Sequence, residues 1–318
     1  IYPPTRLLLI YDTYSPESFI NKILERKDKY YIEKCVCLRD GWDKVMEQIS
    51  NYDAVLLYDI TAKNRNLILK YCYQYDKEIY MTSKISDVIL RSSKDILLFD
   101  TPLLAVQNSG LSFFQKFVKR SMDLVISVIV MIITSPVLLI VAICIKAYDH
   151  GPVFFIQKRC TLGGKVFNIY KFRSMIVDAE KDGKSRPATD DDERITPVGR
   201  MIRKTRIDEL PQLFNVLKGD MSIVGPRPER VEHVEIYTEE IPEFAYRMKV
   251  KGGLTGYAQV YGKYNTTAYD KLKMDLMYIE NYSVLLDLKL ILMTIKVMFM
   301  KASTEGFSEK QQKDISER

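Results

Sequence analysis

The feature that most constrains this chain is an apolar run from Leu124 to Ile145, which contains no charged residue. A helix over this run is long enough to cross the hydrocarbon core of a bilayer. Ser135 and Pro136 lie in its middle, and the proline leaves the carbonyl four residues earlier without its helical donor. Both ends of the run are flanked by basic residues, so the positive-inside rule gives no preferred direction of crossing. These are Lys116, Lys119 and Arg120 before the run, and Lys146, Lys158 and Arg159 after it.

Two structures satisfy this pattern. The first is an ordinary transmembrane helix with a proline kink. The second is a helix that breaks at Ser135–Pro136 and enters and leaves the membrane on the same face. Each half would then have about 12 residues and a length of roughly 18 Å, too short to span alone. The apolar run by itself leaves both structures open.

Charge and cysteine content exclude several classes of function. The 318 residues include 47 Lys and Arg against 41 Asp and Glu, a net charge of +6. This excess is too small to indicate nucleic-acid binding, but it suits an anionic membrane surface or phosphorylated substrates. Five cysteines without a CxxC pair, and only two histidines, predict a reducing compartment with neither disulfides nor zinc. The chain begins at Ile1 without a signal peptide, and we expect further sequence upstream.

Residues 1–104 alternate short apolar segments with helical patterns. Strands are predicted at 6–12, 31–38, 53–59, 78–82 and 95–100. This alternation predicts a Rossmann-like parallel α/β domain. A dinucleotide site requires glycines directly after the first strand, whereas the sequence there is LLLIYDTYSPESF. We therefore expect a partner-binding, regulatory or supporting role for this domain.

The chain becomes polar again from residue 151. Two strands are predicted around a turn at Gly163–Gly164, and the charged segment 177–196 is expected to be a mobile loop. Residues 284–301 are apolar on most of a helical circumference with a few charges. This pattern predicts a helix in the membrane interface, although a core helix explains it nearly as well.

An adjacent pair of carboxylates, Asp208 and Glu209, opens a segment with helical spacing that ends at Gly219. The spacing predicts a helix from about Asp208, so that the pair lies at the positive end of its dipole, where ionised carboxylates and phosphates are favoured. Adjacent helical residues point about 100° apart, which predicts different roles for the two side chains. The alternative is an ordinary capping Asp followed by a first-turn Glu. The apolar positions of the predicted helix are Leu210, Leu213, Phe214 and Leu217.

An arginine follows between two prolines, in the sequence GPRP. Pro226 and Pro228 restrict the backbone around Arg227, so its guanidinium is presented with little entropy left to lose. Such a guanidinium suits bidentate phosphate binding. Arg203 and Arg206 precede the carboxylates. Carboxylates, arginines and a divalent metal are the groups that phosphoryl transfer requires, and the sequence has no P-loop motif.

Several motifs occur in a fixed order and together resemble the monotopic phosphoglycosyl transferases, bacterial sugar transferases that act on polyprenyl phosphate. They are KRSMDL, the central SP of the apolar run, QKR with IYKFRSM, TRIDELPQLFNVLKGDMSIVGPRPE, and GLTGYAQVYGK. The resemblance runs from about Lys116 to Lys301. It implies an α/β fold in which a Rossmann-like domain precedes a mixed α/β catalytic domain with a re-entrant helix and interfacial amphipathic helices. The implied divisions are an accessory domain at 1–104, a linker and basic membrane-interface segment at 105–120, a re-entrant helix at 121–147, the catalytic domain at 148–302 and a polar tail at 303–318.

The resemblance also implies a reaction. Members of the family move a sugar 1-phosphate from a UDP-sugar to undecaprenyl phosphate and release UMP, through a phosphosugar held on the Asp of the Asp–Glu pair. Asp208 would then be the nucleophile and Glu209 its partner, and both would hold Mg²⁺ together with Asp275. The phosphate- and substrate-binding residues implied are Arg203, Arg206, Arg227, Lys171 and Lys263.

One position departs from the family pattern. Many members have an Asn-Gly-Arg sequence where this chain has Lys263, and a lysine lacks the planar fork of an arginine. The resemblance implies that this loop reads the nucleotide or the sugar, so the sequence does not fix the donor. The Ser135–Pro136 pair matches the break of the family's re-entrant helix and so favours the second structure given above.

The resemblance implies a bacterial inner membrane location, with lipid contacts and the catalytic domain on the cytoplasmic face. A homodimer through the first domain is a further expectation. Two other functions remain open: a non-catalytic membrane adaptor that keeps the fold, and a soluble nucleotide-sugar enzyme with a buried apolar helix. The exposed apolar run expected at Leu124–Ile145 argues against the second of these.

Overall fold

A computed structural model describes residues 3–24, 26–106, 110–179, 192–263 and 266–298. Contacts between residues divide the chain after Lys84 into two compact units, residues 1–84 and 85–318. The segment 177–196, predicted to be a mobile loop, lies mostly outside the described residues, as does the predicted polar tail.

The first unit is a four-stranded parallel sheet with the strand order β2-β1-β3-β4. Four of the predicted strands are confirmed in it. Its elements are β1 (Thr5–Tyr11), α1 (Glu17–Leu24), β2 (Tyr30–Cys37), α2 (Trp42–Ser50), β3 (Ala54–Tyr58), α3 (Ala62–Gln74) and β4 (Glu78–Met81).

Alternation along β1 explains why helices cover both faces of this sheet. Leu7 and Leu9 pack on one face, with apolar side chains of α1. Leu8 and Ile10 pack on the other face, with side chains of α2 and α3. Because successive side chains of a strand point to opposite faces, a strand buried on both sides reads as a continuous apolar run.

The strand predicted at 95–100 lies outside this sheet, so this part of the prediction is wrong. The chain between Ile85 and Ala105 belongs to the second unit, where Ile85 and Val88 pack into the main core. Residues 94–98 pair antiparallel with residues 101–105, and the turn between them passes through Phe99 with a left-handed φ of 56°. A tight turn of this kind favours antiparallel pairing with the next segment over a parallel crossover.

The second unit is mixed α/β. It contains α4 (Ile85–Leu90), β5 (Lys94–Leu98), β6 (Thr101–Ala105), α5 (Phe113–Asp149), β7 (Phe154–Cys160), β8 (Val166–Phe172), α6 (Pro197–Lys204), α7 (Gln212–Lys218), β9 (Ser222–Val224), α8 (Val231–Glu240), β10 (Gly253–Thr255), α9 (Tyr257–Tyr261), α10 (Ala268–Glu280) and α11 (Val284–Met298). The predicted pair of strands around Gly163–Gly164 is confirmed as the antiparallel pair β7–β8. Both glycines have a positive φ, which explains why glycine occupies this turn.

Within the described residues, α5 is the one helix long and apolar enough to cross a membrane, and only 11% of its most apolar window is buried. The helix continues through Ser135–Pro136 rather than stopping there. Pro136 has no N–H to donate to the carbonyl of Ile132, and the hydroxyl of Ser135 donates to that carbonyl at 2.8 Å instead. The serine therefore satisfies the acceptor that the proline leaves open.

Both ends of α5 pack on the second unit. Near its start, Arg120 donates to the carbonyls of Val216 and Leu217 at the end of α7. Near its end, Ile145 packs in a cluster with Phe172 of β8. A straight helix would separate Arg120 from Ile145 by about 37 Å, so packing of both ends on one compact unit is consistent with a re-entrant helix.

The basic residues that flank the apolar run partly serve this packing. Lys119 is 5% exposed and forms an ion pair of 2.7 Å with Asp287, which is fully buried on α11. Arg120 is half-buried against α7, and Arg159 is largely buried against the carbonyl of Pro228. These three charges are bound to protein groups, so they are weak evidence for the direction in which the helix enters a membrane.

Helix α11 has one exposed apolar side and one buried side. Leu285, Leu288, Leu292 and Ile295 are all more than 40% exposed, whereas Asp287 and Leu290 are buried. The exposed residues recur at helical spacing, which is the pattern of a helix lying in a membrane interface.

Candidate active site

The Asp208–Glu209 pair lies in a short 3-10 turn, Ile207–Glu209, ahead of α7. Arg206 precedes the turn with a left-handed φ of 57°. The predicted helix start near Asp208 is therefore wrong, because α7 begins at Gln212. Its predicted end is confirmed at Gly219, which has a φ of 93°.

The predicted apolar side of α7 is only partly buried. Leu213 is buried, but Phe214 is 46% exposed. Asn215 is fully buried in the position predicted for Phe214. Its amide bridges α7 to β8, because it donates to the carbonyl of Asn168 at 2.7 Å and accepts from the N–H of Tyr170 at 3.0 Å. This bridge fixes β8 beside the carboxylate turn and so positions Lys171.

Glu209 binds two cations through one oxygen. Its Oε1 accepts from Lys171 Nζ at 2.7 Å and from Arg227 Nη2 at 2.8 Å. The side chains of Glu209 and Lys171 are 13% and 17% exposed, and that of Arg227 is 37% exposed. The structure thus brings together three of the residues predicted from sequence, which lie on three separate segments of the chain.

The segment that presents Arg227 depends on a close backbone approach between β9 and β10. Gly225 donates its N–H to the carbonyl of Thr255 at 2.8 Å. A Cβ added at Gly225 would lie 2.4 Å from the carbonyl oxygen of Lys251. Because no real side chain tolerates that distance, the first residue of the GPRP sequence must be glycine for this geometry.

The carboxylate of Asp208 makes no hydrogen bond or ion pair within the described residues. Burial, together with the negative charge of Glu209, raises the pKa of Asp208 to about 6. The charges of Lys171, Arg203 and Arg206 act in the opposite direction. The group is therefore a poorly compensated anion at neutral pH.

Glu209 is in the opposite state. Burial opposes its ionisation, but the charges of Arg227 and Lys171 outweigh it and hold the pKa of Glu209 well below its usual value. Burial lowers the pKa of Lys171 although Glu209 partly offsets this. Two neighbouring carboxylates with pKa values pushed apart are the arrangement expected when they have different chemical roles.

The remaining predicted binding residues are placed less closely. Arg203 lies in the last turn of α6, and both it and Arg206 are near enough for their charges to act on Asp208. Lys263 follows α9 and donates its backbone N–H to Thr266 Oγ1 at 2.8 Å. Its role in binding substrate stays a prediction.

Comparison with known proteins identifies the group to which this arrangement belongs. Residues 114–301, more than half of the chain, match the family described as bacterial sugar transferase. The chain belongs to this family. The match includes α5 from its second residue, the carboxylate turn and the segment that presents Arg227.

Three relatives of the chain are named as transferases of a sugar or a sugar phosphate. A UDP-N-acetylgalactosamine-undecaprenyl-phosphate N-acetylgalactosaminephosphotransferase of Aeromonas hydrophila is 40% identical over 78% of this chain and 59% of its own length. A UDP-glucose:undecaprenyl-phosphate glucose-1-phosphate transferase of Klebsiella pneumoniae is 42% identical over 64% of this chain and 44% of its own. The uncharacterized sugar transferase EpsL of Bacillus subtilis is 41% identical over 60% of this chain and 90% of its own. The chain thus spans about half the length of the first two relatives.

The residues predicted to hold Mg²⁺ fit a metal unequally. Asp208 fits, because its carboxylate has no hydrogen bond or ion pair within the described residues and carboxylate oxygens are the ligands Mg²⁺ prefers. Glu209 already shares one oxygen between two cations. Asp275 fits poorly, because it is 1% exposed and both contacts to its Oδ2 come from Arg247. Within the described residues no group of three or more His, Cys, Asp or Glu side chains is arranged to hold a metal, so this site stays a prediction.

Sequence reasoning missed Arg247, which is 4% exposed and donates both to Asp275 and to the carbonyl of Arg227. Arg247 stands in the sequence EFAYRMKV, which has no motif to single it out. Its contact with the Arg227 carbonyl depends on the packing of a 3-10 segment, Pro242–Lys249, against α10.

Proposed function

We propose that this chain transfers a sugar 1-phosphate from a UDP-sugar to undecaprenyl phosphate, with release of UMP. The observation that best supports the proposal is the environment of Asp208. It is a half-buried carboxylate with no hydrogen bond to a described residue, beside a Glu209 that Lys171 and Arg227 neutralise. An anion that is not engaged by its own protein is available to attack an electrophile.

The proposed reaction has two displacements at one phosphorus atom. In the first, an oxygen of Asp208 bonds to the β-phosphorus of the UDP-sugar as the bond to the bridging oxygen breaks, and UMP leaves with that oxygen. In the second, an oxygen of undecaprenyl phosphate bonds to the same phosphorus as the aspartyl bond breaks. Asp208 is thereby regenerated, and the lipid carries a diphosphate linked to the sugar.

The neighbouring cations support both steps electrostatically. Arg227 and Lys171 surround Glu209 and add positive charge where phosphate oxygens gain negative charge. The guanidinium of Arg227 is 37% exposed, with Nη2 bound to Glu209, so its other face remains accessible to a phosphate. A bound Mg²⁺ would neutralise charge on the diphosphate.

The proposed membrane location rests on the exposed apolar surfaces of α5 and α11. We place α5 in the bilayer and the exposed side of α11, defined by Leu285, Leu288, Leu292 and Ile295, in its interface. The lipid acceptor would then reach the second unit from the membrane, and the soluble UDP-sugar from the cytoplasmic side of the inner membrane.

The test is an assay of the detergent-solubilised chain with Mg²⁺, undecaprenyl phosphate and each of a panel of UDP-sugars. We expect UMP release with at least one donor and a sugar-linked lipid diphosphate in equal amount. Asp208→Asn should abolish both products, while Asp270→Asn, which alters a partly exposed ion pair with Lys273, should retain them. Absence of UMP with every donor would refute the proposal and leave a non-catalytic membrane adaptor.

A further inference from the structure

The backbone that presents Arg227 is held at four consecutive carbonyl groups, those of residues 226–229. Each accepts a hydrogen bond from a different donor. The donors are Gly253 N to Pro226 O at 2.8 Å, Arg247 Nη2 to Arg227 O at 3.0 Å, Arg159 Nη1 to Pro228 O at 3.2 Å, and Cys160 N to Glu229 O at 3.0 Å. Two of the four are guanidinium groups, which is unusual support for a loop that has no regular secondary structure.

Arg247 is 4% exposed and links the loop to α10. Its Nε and Nη2 lie 2.9 and 2.7 Å from Asp275 Oδ2, and its Nη1 lies 3.6 Å from Glu229 Oε1. Its guanidinium also stacks on the Phe244 ring, 4.8 Å from the centroid. Each nitrogen of the Arg247 guanidinium has an acidic partner, and its plane lies on an aromatic ring. Because these contacts hold the guanidinium in place, the Arg227 carbonyl that accepts from it is held as well.

The geometry of Asp275 argues against direct metal binding. Its Oδ2 already accepts two N–H groups, and its Oδ1 has less than 1 Å² of accessible surface and no partner within the described residues. Mg²⁺ dehydrates reluctantly and usually keeps several waters. This oxygen is closed to solvent, whereas such an ion needs access for the waters it keeps.

We propose that Asp275 and Arg247 form a positioning pair that aims Arg227 at Glu209 and at the substrate phosphate, and that Asp275 is not a metal ligand. This inference rests on the proposed function. A buried ion pair contributes little net stability over an apolar replacement, so fixing one arrangement of neighbouring groups is a better reason for its presence. Loss of the pair would let the loop relax by a fraction of an ångström, and displacements near 1 Å can cost about 100-fold in rate.

The test uses Arg247→Lys and Asp275→Asn in the full chain, each alone and combined with Arg227→Lys. Arg247→Lys keeps the charge but loses the fork that reaches both acceptors. We expect each single variant to lower kcat by about 10-fold or more, with the Mg²⁺ concentration for half-activation changed less than about twofold. In the Arg227→Lys background, Arg247→Lys or Asp275→Asn should lower kcat by a smaller factor than it does in the wild-type chain. The losses are smaller because the three residues act as one unit.

Asp287→Asn is the matched control. Asp287 is also fully buried and bonded to a cation at 2.7 Å, but it contacts Lys119 rather than the Arg227 loop. We expect this variant to lower thermal stability while the folded protein keeps its kcat, which separates positioning from general destabilisation.

Three outcomes would decide the matter. A tenfold rise in the Mg²⁺ requirement for Asp275→Asn but not for Arg247→Lys would identify Asp275 as a metal ligand and overturn the proposal. The proposal would also be overturned if the loss of kcat in each double variant equalled the product of the two single-variant losses. An unchanged kcat in Arg247→Lys and Asp275→Asn alone would overturn it as well. If the wild-type chain released no UMP with any donor, the proposed function would fail. The Arg247–Asp275 pair could then still be tested by thermal unfolding, and an unchanged unfolding temperature for Arg247→Lys would argue against it.

Discussion

Replacing Glu209 by glutamine tests the electrostatic organisation of the site. Glu209 is the common partner of Lys171 and Arg227, at 2.7 and 2.8 Å. Glutamine keeps an acceptor oxygen but removes the negative charge that both cations contact. Removing one partner of a fully buried pair costs about 3–5 kcal/mol, whereas an exposed pair is worth about 0–1 kcal/mol. Because Arg227 is 37% exposed, we expect an intermediate loss of about 2 kcal/mol.

The loss should be visible in thermal unfolding of the second unit. For a domain of this size about 2 kcal/mol lowers the unfolding temperature by roughly 6 °C. Trp42 is the single tryptophan and lies in the first unit, so tryptophan fluorescence would miss the change. Far-UV ellipticity and the thiol accessibility of Cys160, which is buried in the second unit, report it. Asp270→Asn is the control and should cost about 0.5 kcal/mol or less.

The same substitution should also change the pH dependence of the reaction. The negative charge of Glu209 contributes to raising the pKa of Asp208 to about 6. Without it, and with Lys171 and Arg227 released, that pKa should fall towards the ordinary aspartate value of about 4, with burial keeping it above that value. The acid limb of the rate profile should therefore move to lower pH as the maximal rate decreases. An unchanged unfolding temperature together with an unmoved acid limb would show that Glu209 organises neither the two cations nor the ionisation of Asp208.

Three further predictions concern separate parts of the structure. In the wild-type chain, the rate of UMP release should fall about tenfold per pH unit below pH 6 and level off above it, because Asp208 must be ionised to attack and its pKa is raised to about 6; a flat profile down to pH 4.5 would contradict this. Lys119→Met should lower stability by about 3–5 kcal/mol in thermal unfolding, because it leaves Asp287 buried without a counter-charge, and a change below about 1 kcal/mol would contradict it. Gly225→Ala should lower stability by about 1–3 kcal/mol and reduce UMP release, because its Cβ would meet the Lys251 carbonyl at 2.4 Å; wild-type unfolding and activity would show that this approach is not required.

Local patterns predicted the first unit well. The central strands β1 and β3 follow from continuous apolar runs bounded by polar turns. The edge strands β2 and β4 have fewer buried residues and follow from β-branched and aromatic residues between turn signals. The fifth predicted strand is also apolar, but its position depends on where the preceding helix α4 packs. Ile85 and Val88 of α4 pack into the core of the second unit. That choice depends on contacts distant in sequence, which periodicity does not encode.

The candidate site was predictable in its components but not in its connections. Asp208, Glu209, Arg227 and Lys171 were all selected from sequence, and the structure joins three of them around one carboxylate oxygen. The contact of Asp275 with Arg247 was not predictable, because the two residues are distant in sequence and neither lies in a motif that specifies the other. Lys119 and Arg120 fall in the segment predicted to be a basic membrane interface, yet both bind protein groups. A sequence does not show which partners a flanking cation meets.

A covalent bond between Asp208 and the transferred phosphosugar would add mass to the chain. The decisive measurement is the intact mass of the detergent-solubilised chain after mixing with Mg²⁺ and a panel of UDP-sugars, without the lipid acceptor. We expect the wild-type chain to gain the mass of one sugar phosphate with the responding donor, and to lose it when undecaprenyl phosphate is added. Asp208→Asn should gain nothing. An adduct that persists in Asp208→Asn, or lipid product formed by a wild-type chain that never shows an adduct, would contradict the account.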